Sequence, residues 1–238
     1  MKLFIGDISP DKITLKEEEE YHIIKVLRMS SGDDIYVTDG KGTLAHGKLI
    51  ITGKRAEVEV LELFPKKQQD KNRLHIAIAP TKNIDRFEFF IEKAVELGVS
   101  EITPILCANS ERKNLNIEKI QKQVESACKQ SLRLIFPLVR SLTSLKELIQ
   151  KERTSLFLTH CYKEYKKVPL SRILPQQGRI TVLIGPEGDF SKKEVEELYS
   201  LGATGVDLGE NRLRTETAGI FVAAGHWFSI LDSTGLEP

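Results

Sequence analysis

From residue 73 onward, short runs of aliphatic and β-branched residues alternate with longer amphipathic segments. Five runs are predicted to be buried strands: RLHIAIAP, EITPIL, SLFLTH, RITVLIG and TGVDLG. Three segments are predicted to be helices: NIDRFEFFIEKAVELG, which Gly98 would cap, NIEKIQKQVESACKQSLR and the unusually apolar TETAGIFVAAGHWFSIL. Because a helical crossover brings the next strand in parallel to the last, this alternation predicts an α/β domain with a mostly parallel sheet and helices on its faces.

The first 70 or so residues have a different pattern. The short alternating runs DDIYVTDG, TLAHGKLIITG and RAEVEVLELF are separated by glycine-containing turns and predict strands. A single helix, LKEEEEYHIIKVLR, is predicted among them, and several strands around one helix indicate a small β-barrel. The polar stretch FPKKQQDKNR follows as a predicted linker, so the sequence predicts two domains, 1–70 and 71–238.

The overall composition is that of an ordinary globular protein, with 40% hydrophobic residues, 29% charged residues and a net charge of +1 among 238 residues. The net charge does not by itself indicate a nucleic-acid-binding protein. No apolar run reaches membrane-spanning length, and MKLFIGDISPDK lacks the apolar stretch of a signal peptide. We therefore expect a cytoplasmic protein.

The cysteines and histidines are scattered, which argues against a disulfide framework and against a metal site. Cys107, Cys128 and Cys161 lie far apart, and small buried hydrophobes are the expected role for them. The five histidines lack the i, i+4 spacing of a helical metal site, so we predict no metal. The stretch from residue 111 to residue 140 contains seven basic and three acidic residues. By itself, such a surplus of positive charge is more typical of a solvated helix face than of a binding surface.

Three loops that follow predicted strands carry the candidate site, because ligands of open α/β sheets bind at the carboxyl ends of the strands. In TVLIGPEGDFSKKEVEEL, Gly185 and Gly188 permit a close backbone approach, and Ser191 with Glu194 predicts a capping box. The loop lacks both the P-loop and the dinucleotide-binding pattern, and taken alone it is more typical of an ordinary strand–helix connection.

The other two loops carry polar groups at the same kind of position. In DLGENRLRTET, Arg214 stands where the last helix begins, and an ion pair with Glu210 or Glu216 is the alternative to a functional role. In LFLTHCYKE, Thr159 and His160 leave a strand, and a histidine in such a place is more often structural than a ligand or a base. Two glycine turns in close succession favour a shared binding site.

LIGPEGDFSKKEV followed by LGENRLRTETA resembles the SPOUT class of S-adenosylmethionine-dependent RNA methyltransferases. Within that class, the chain is similar to the ribosomal RNA small subunit methyltransferase E family, which acts on N3 of a uridine in 16S rRNA. HIIKVLRMSSGDDIYVTDGKG looks like the PUA-like RNA-binding domain of that family, and PTKNIDRFEFFIEKAVELGVSEITPILCANSER with ESACKQSLR looks like its catalytic core. One departure is MKLFIGDIS, which has no arginine where many relatives begin with an arginine-containing strand.

The resemblance implies a trefoil knot at about residues 155–238, with three loops that hold S-adenosylmethionine in a bent pose. By position, the implied cofactor-binding residues are Leu158, Thr159, His160, Ile184, Gly185, Glu187, Gly188, Leu208, Gly209, Leu213, Arg214 and Thr215. Arg214 is the candidate for stabilising negative charge on the uracil, and Glu187, Glu216 or solvent would accept the N3 proton.

The resemblance also implies a homodimer through the knot region and a basic surface that binds 16S rRNA or the small ribosomal subunit. The candidate RNA-binding residues are Lys25, Arg28, Lys41, Arg55, Lys82, Arg86, Arg112, Lys129 and Arg133, each of which has a solvated surface charge as its alternative.

Two other functions remain open at this stage: a SPOUT enzyme acting on a ribose hydroxyl or a guanine, and a non-catalytic RNA-binding or ribosome-assembly protein. A nucleotide-phosphate enzyme is disfavoured, because Lys192 and Lys193 follow Ser191 without a phosphate-binding motif.

Overall fold

The computed structural model describes residues 2–9, 12–69, 71–152, 154–174 and 178–234, with side chains described up to residue 231. The chain forms two compact units. The first consists of the described residues of 1–69 together with Glu125–Phe136, and the second of the described residues of 70–124 and 137–238.

The first unit is a closed five-stranded barrel, as the alternating pattern predicted. Its strands are β1 (Leu3–Ser9), β2 (Lys12–Leu15), β3 (Asp34–Thr38), β4 (Leu44–Thr52) and β5 (Arg55–Leu63), in the order β1-β2-β5-β4-β3. β1 and β3 pair in parallel and close the barrel, whereas the other neighbours are antiparallel. The short helix α1 (Glu17–Tyr21) continues into a π-helical turn, His22–Val26, whose Ile23 is fully buried in the barrel core.

The segment Glu125–Phe136 belongs to this unit through hydrogen bonds and ion pairs. The backbone N–H of Gly42 donates to the carbonyl of Leu134, and that of Phe136 donates to the carbonyl of Gly40, both at 2.9 Å. Lys129 Nζ lies 2.7 Å from Oε1 of the buried Glu19. These contacts join residues about 100 positions apart in the sequence.

The second unit is a parallel α/β domain, which confirms the predicted fold class. Its strands are β6 (Arg73–Ile78), β7 (Glu101–Leu106), β8 (Leu138–Val139), β9 (Thr143–Ser144), β10 (Leu156–Thr159), β11 (Lys167–Pro169), β12 (Arg179–Ile184) and β13 (Thr204–Asp207). The sheet has the order β11-β13-β10-β12-β6-β7-β8, with β9 also paired to β7, and all of these pairs are parallel. The helices are α2 (Ile84–Glu96), α3 (Ile117–Gln130), α4 (Leu145–Lys151), α5 (Lys192–Ser200) and α6 (Thr215–Thr234). Of α3, the residues up to Val124 belong to this unit and those from Glu125 onward belong to the first.

Local signals define the helix ends that flank the sheet. Asn83 caps α2 through its side chain, and Gly98 follows that helix at φ +81°, a left-handed conformation that favours glycine. At the start of α5, Ser191 and Glu194 form the predicted capping box. No helix in the described part of the chain is both long enough and apolar enough to cross a membrane.

A buried polar network closes the amino-terminal end of the sheet. The Arg179 guanidinium contacts carboxylate oxygens of both Glu101 and Glu152, and it donates to Nδ1 of the buried His75 at 2.9 Å. His75 Nε2 lies 2.7 Å from the Thr103 hydroxyl. His75 Nδ1 also lies 3.3 Å from Oε2 of Glu152. The charges at this end are mutually satisfied, and the open cavity described below lies at the other end.

Candidate functional site

A cavity of about 660 Å³ opens at the carboxyl ends of β10, β12 and β13. Its size falls within the roughly 300–1,000 Å³ that small-molecule sites occupy, and its position is the one at which open α/β sheets bind ligands. The lining residues come from three segments: 159–167, 184–189 and 206–218. These segments contain the three loops that the sequence singled out.

The loop after β12 forms the middle wall. A Cβ atom at Gly185 would lie 3.0 Å from the Phe190 ring and 3.1 Å from the Phe190 nitrogen, so the close approach within this loop favours glycine. The hydroxyl of the buried Thr215 donates to the carbonyl of Gly185 at 3.1 Å. This hydrogen bond joins the middle wall to the first residue of α6.

The loop after β13 forms the second wall. Its turn is made by Gly209 at φ +108°, whose N–H donates to Oδ1 of Asp207 at 3.0 Å. Such an aspartate turn is typical of a chain reversal at a strand end. Asn211, Arg212 and the residues up to Thr215 then line the cavity before α6 begins.

The loop after β10 forms the third wall, and its histidine has a structural environment. The His160 ring lies 5.6–5.9 Å, centroid to centroid, from the rings of Tyr162, Tyr165 and Tyr199. The Tyr199 hydroxyl donates to the carbonyl of Lys166, so it accepts the Nε2–H of His160 at 3.1 Å. Burial, followed by the positive charge of Lys167, lowers the pKa of His160 below its ordinary value. The ring is therefore neutral, and its three aromatic neighbours hold it in place within this wall.

Ten of the twelve predicted cofactor-binding residues line this cavity. They are Thr159, His160, Ile184, Gly185, Glu187, Leu208, Gly209, Leu213, Arg214 and Thr215. Leu158 is fully buried in the hydrophobic core beside Leu183, and Gly188 packs against Asn109. These two residues lie outside the lining.

The two candidate carboxylates have different environments. Glu187 lies at the cavity, and its Oε1 accepts the backbone N–H of Lys82 at 2.9 Å. Glu216 is buried outside the lining, with Oε1 3.9 Å from Arg86 Nε and with Oε2 unbonded among the described residues. Of the two, only Glu187 can meet a ligand in the cavity.

Arg214 is exposed and lines the cavity. Within the described part of the chain its guanidinium forms no ion pair, so neither Glu210 nor Glu216 neutralises it there. A guanidinium without a carboxylate partner keeps its positive charge available for an anionic group of a ligand.

Several lining residues were not among the predicted site residues. They include Cys161, Lys163, Lys167, Pro186, Asp189, Val206, Asp207, Glu210, Asn211, Arg212 and Ala218. All of them lie in or beside the same three loops. Their position after the end of a strand, rather than their residue type, is the feature of the sequence that could have predicted them. The expectation that all three cysteines are buried is wrong for one of them: Cys161 is exposed, whereas Cys107 and Cys128 are buried.

Some of the predicted RNA-binding side chains are exposed, and others form ion pairs or hydrogen bonds within the chain. In the first unit Lys25, Arg28, Lys41 and Arg55 are exposed, whereas Lys129 pairs with Glu19 and Arg133 is half-buried with other contacts. In the second unit Lys82 pairs with Glu111, and Arg86 lies beside Glu216. Arg112 donates to the carbonyls of Thr81 and Lys82, so it holds the loop after β6.

No group of three or more histidine, cysteine, aspartate or glutamate side chains is arranged to hold a metal ion among the residues that the structure describes.

Comparisons with known proteins match both units to RNA methyltransferases. The sequence model of the RNA methyltransferase domain family matches residues 68–227, and that of the RNA methyltransferase PUA domain matches residues 15–61. Ribosomal RNA small subunit methyltransferase E of Rickettsia conorii is 30% identical over 216 residues, covering 90% of this chain and 88% of the relative.

Solved structures show the same architecture. A probable rRNA-methyltransferase from Porphyromonas gingivalis superposes with a TM-score of 0.86 at 34% identity, covering 98% of this chain and 99% of that one. A ribosomal RNA small subunit methyltransferase E from Neisseria gonorrhoeae, bound to S-adenosyl methionine, gives a TM-score of 0.80 at 26% identity over 98% of both chains.

A PUA-type barrel followed by a parallel α/β domain with a cavity at its strand ends defines a two-domain RNA methyltransferase. Because the domain model spans well over half of the chain and the Rickettsia relative is similar over nine-tenths of it, the chain belongs to the ribosomal RNA small subunit methyltransferase E family.

Proposed function

We propose that the protein uses S-adenosylmethionine to methylate N3 of a uridine in the 16S rRNA of the small ribosomal subunit. The observation that carries this proposal is the cavity at the carboxyl ends of β10, β12 and β13, whose wall contains the Arg214 guanidinium, a group without an ion pair among the described residues. Family membership indicates the class of reaction, and the cavity is where the cofactor would bind.

The residues of the cavity fit this cofactor. Gly185 and Gly209 both line the cavity, and an added Cβ at Gly209 would meet no atom within 4 Å, which leaves room for a flat, polar ligand at that turn. Ile184, Leu208 and Leu213 provide apolar contacts. Together with Thr159, His160, Glu187 and Thr215, these residues would hold S-adenosylmethionine, and the knot would cover about residues 155–238. When bound, the cofactor supplies a methyl group activated by a sulfonium.

The chain's own contribution to catalysis is positioning and electrostatic stabilisation. The uracil N3 must lose a proton, which spreads negative charge over the two flanking carbonyl oxygens. The guanidinium of Arg214, which lines the cavity, would stabilise that charge. Of the two candidate carboxylates, Glu187 lines the cavity and competes with solvent as proton acceptor, whereas the buried Glu216 is assigned a structural role.

RNA recognition would use the exposed cations of both units. N3 lies on the Watson–Crick edge, so the target uridine must be unpaired or turned out of its helix. Lys25, Arg28, Lys41 and Arg55 are the exposed candidates of the barrel, which we assign as an RNA-binding domain at 1–70, with the methyltransferase domain at 71–238. With ribosomal RNA as its substrate, the protein is proposed to act in the cytoplasm.

A homodimer through the knot region completes the proposal. The last helix, α6, exposes Phe221, Trp227 and Phe228, and α2, which packs against it, exposes Phe89. Aromatic residues of this kind are enriched in the buried centres of interfaces.

The test is to incubate the purified protein with methyl-labelled S-adenosylmethionine and small ribosomal subunits that lack the modification, followed by nucleoside analysis of the digested RNA. We expect the label in 3-methyluridine. Label in another nucleoside would retain the cofactor site and reject the uridine. No label, together with RNA binding and no cofactor binding, would favour the non-catalytic alternative.

A further inference from the structure

One residue of the cavity wall has a backbone conformation that its residue type does not favour. Asp189, in the loop between β12 and α5, has φ +62°, which lies in the left-handed region. Glycine occupies that region without strain, and aspartate tolerates it better than most residues do. The same loop already has glycine at positions 185 and 188. A residue with a carboxylate at this position therefore needs a reason that offsets the backbone strain.

The contacts of the carboxylate supply that reason. Its Oδ1 accepts the backbone N–H of Phe190 at 2.8 Å, and its Oδ2 accepts the backbone N–H of Cys161 at 2.8 Å. Cys161 lies 28 residues earlier in the chain, in the loop after β10. The side chain of Asp189 thus joins two of the three walls of the cavity with a charge-assisted hydrogen bond.

The backbone of the same residue is held from a third direction. Asn109, which follows β7, donates from Nδ2 to the carbonyls of Gly188 and Asp189, both at 3.1 Å. Asp189 is consequently fixed to the β7 loop through its main chain and to the β10 loop through its side chain. Both oxygens of its carboxylate accept backbone N–H groups, so the side chain holds the loops together.

We propose that Asp189 is a positioning residue for the cofactor, and that it acts by holding the His160–Cys161 peptide against the loop after β12 so that the walls of the cavity are fixed before the cofactor enters. This inference rests on the proposed function, because the ligand whose affinity it sets is S-adenosylmethionine. Affinity rises when a site needs no ordering on binding, so loss of this hydrogen bond is expected to weaken the cofactor.

The test compares two variants of the full chain. Asp189→Gly removes the carboxylate and also removes the backbone strain, so the loop can keep its conformation without loss of folding. Tyr162→Phe is the matched control, because the Tyr162 hydroxyl also joins the two loops, donating to the Phe190 carbonyl at 2.9 Å, but Tyr162 does not line the cavity. Calorimetry gives the Kd of S-adenosylmethionine and of methylthioadenosine, which lacks the sulfonium charge and the amino-acid group.

We expect Asp189→Gly to raise the Kd of both ligands by the same factor, about tenfold, which corresponds to one charge-assisted hydrogen bond. We also expect the KM for S-adenosylmethionine to rise while kcat at saturation stays close to that of the wild type. The Cys161 amide should lose protection from hydrogen exchange, and Tyr162→Phe should leave the Kd values within about twofold, well below the change expected for one charge-assisted hydrogen bond.

Three results would overturn the inference. Unchanged Kd values in Asp189→Gly would show that the contact does not set the cavity. A loss confined to S-adenosylmethionine would show that Asp189 acts as a charge on the cofactor rather than on the loop. If the wild type binds neither ligand, the proposed function is rejected together with this inference. If the wild type binds both ligands and Asp189→Gly binds them equally well, only this inference is rejected.

Discussion

At the scale of single residues, two arginines of the same cavity wall allow a controlled test of catalysis. Arg212 and Arg214 are both exposed and both line the cavity, yet only Arg214 immediately precedes the first residue of α6. Arg214→Ala is expected to lower kcat about 100-fold, the usual effect of removing one donor that stabilises developing negative charge. Single-turnover methylation with saturating cofactor measures this effect.

The control for that prediction is Arg212→Ala, which removes an equal charge two residues away. We expect it to weaken RNA binding modestly and to leave the single-turnover rate within about threefold, because a solvated cation contributes mainly to association. Equal losses in the two variants would contradict a specific role for Arg214.

The His160 ring predicts a pH dependence of stability. Burial and then Lys167 lower the pKa of His160, although Asp189 and Glu164 act in the opposite direction. As the pH falls through the unfolded value of about 6.5, the unfolded chain takes up a proton that the folded chain does not. Stability is therefore expected to fall between about pH 7 and pH 5, and His160→Phe should make that fall shallower.

The measurement is the Tm of both proteins across that pH range. The slope decides the outcome rather than the absolute Tm, because the substitution also removes the hydrogen bond to Tyr199. Parallel slopes would mean that His160 titrates alike in the folded and unfolded chains.

At the scale of elements, the first turn of helix α5 contains a glutamate that accepts two sets of hydrogen bonds. Glu194 Oε2 accepts from Ser191 within the capping box, while its Oε1 accepts the N–H of Ala108 in the loop after β7 at 2.8 Å. Ser191→Ala removes the cap alone and is expected to cost about 1 kcal/mol. Glu194→Ala also leaves the Ala108 amide without its charged acceptor, so roughly 2–3 kcal/mol is expected.

Urea unfolding of the two variants checks this order. If Ser191→Ala proved the more destabilising of the two, the contact between Glu194 and Ala108 would carry no stability.

The same helix shows what the sequence could and could not predict. The capping box was predictable, since its members are three residues apart and act locally. The bonds from Ala108 to Glu194 and from Cys161 to Asp189 join residues 86 and 28 positions apart, and no pattern in the sequence marks them. The main strands were predictable as apolar runs, whereas β8, β9 and β11 have only two or three residues and carry no period.

At the scale of the whole molecule, the sequence predicted the two kinds of unit because strand–helix alternation and short alternating strands differ in period. The inclusion of Glu125–Phe136 in the barrel unit was not predictable. It depends on hydrogen bonds such as Phe136 to Gly40 and on the pairing of Lys129 with Glu19, which require the fold to exist. For the same reason Lys129 was assigned to RNA although it neutralises a buried carboxylate.

The exposed aromatic residues of α6 give the last prediction, which concerns assembly. Phe221 and Phe228 are 47% and 66% exposed, and a separation of seven residues puts them on one side of the helix. Trp227 is different, because its ring lies 3.3 Å from the position that a Cβ of Gly98 would occupy, so part of it packs within the chain. Two exposed phenylalanine rings on one helical stripe are costly in water and are typical of a surface that a second copy covers.

We expect the wild type to have twice the 26.9 kDa mass of the chain by size-exclusion chromatography with light scattering. The double substitution Phe221→Glu and Phe228→Glu should yield the mass of one chain, because four carboxylates, two from each copy, would have to be buried unpaired. Leu201→Glu is the control, since Leu201 is 57% exposed at the end of α5 and should leave the mass unchanged. A double variant that keeps the mass of the wild type at low micromolar concentration would remove this stripe from the interface and require a different surface for the dimer.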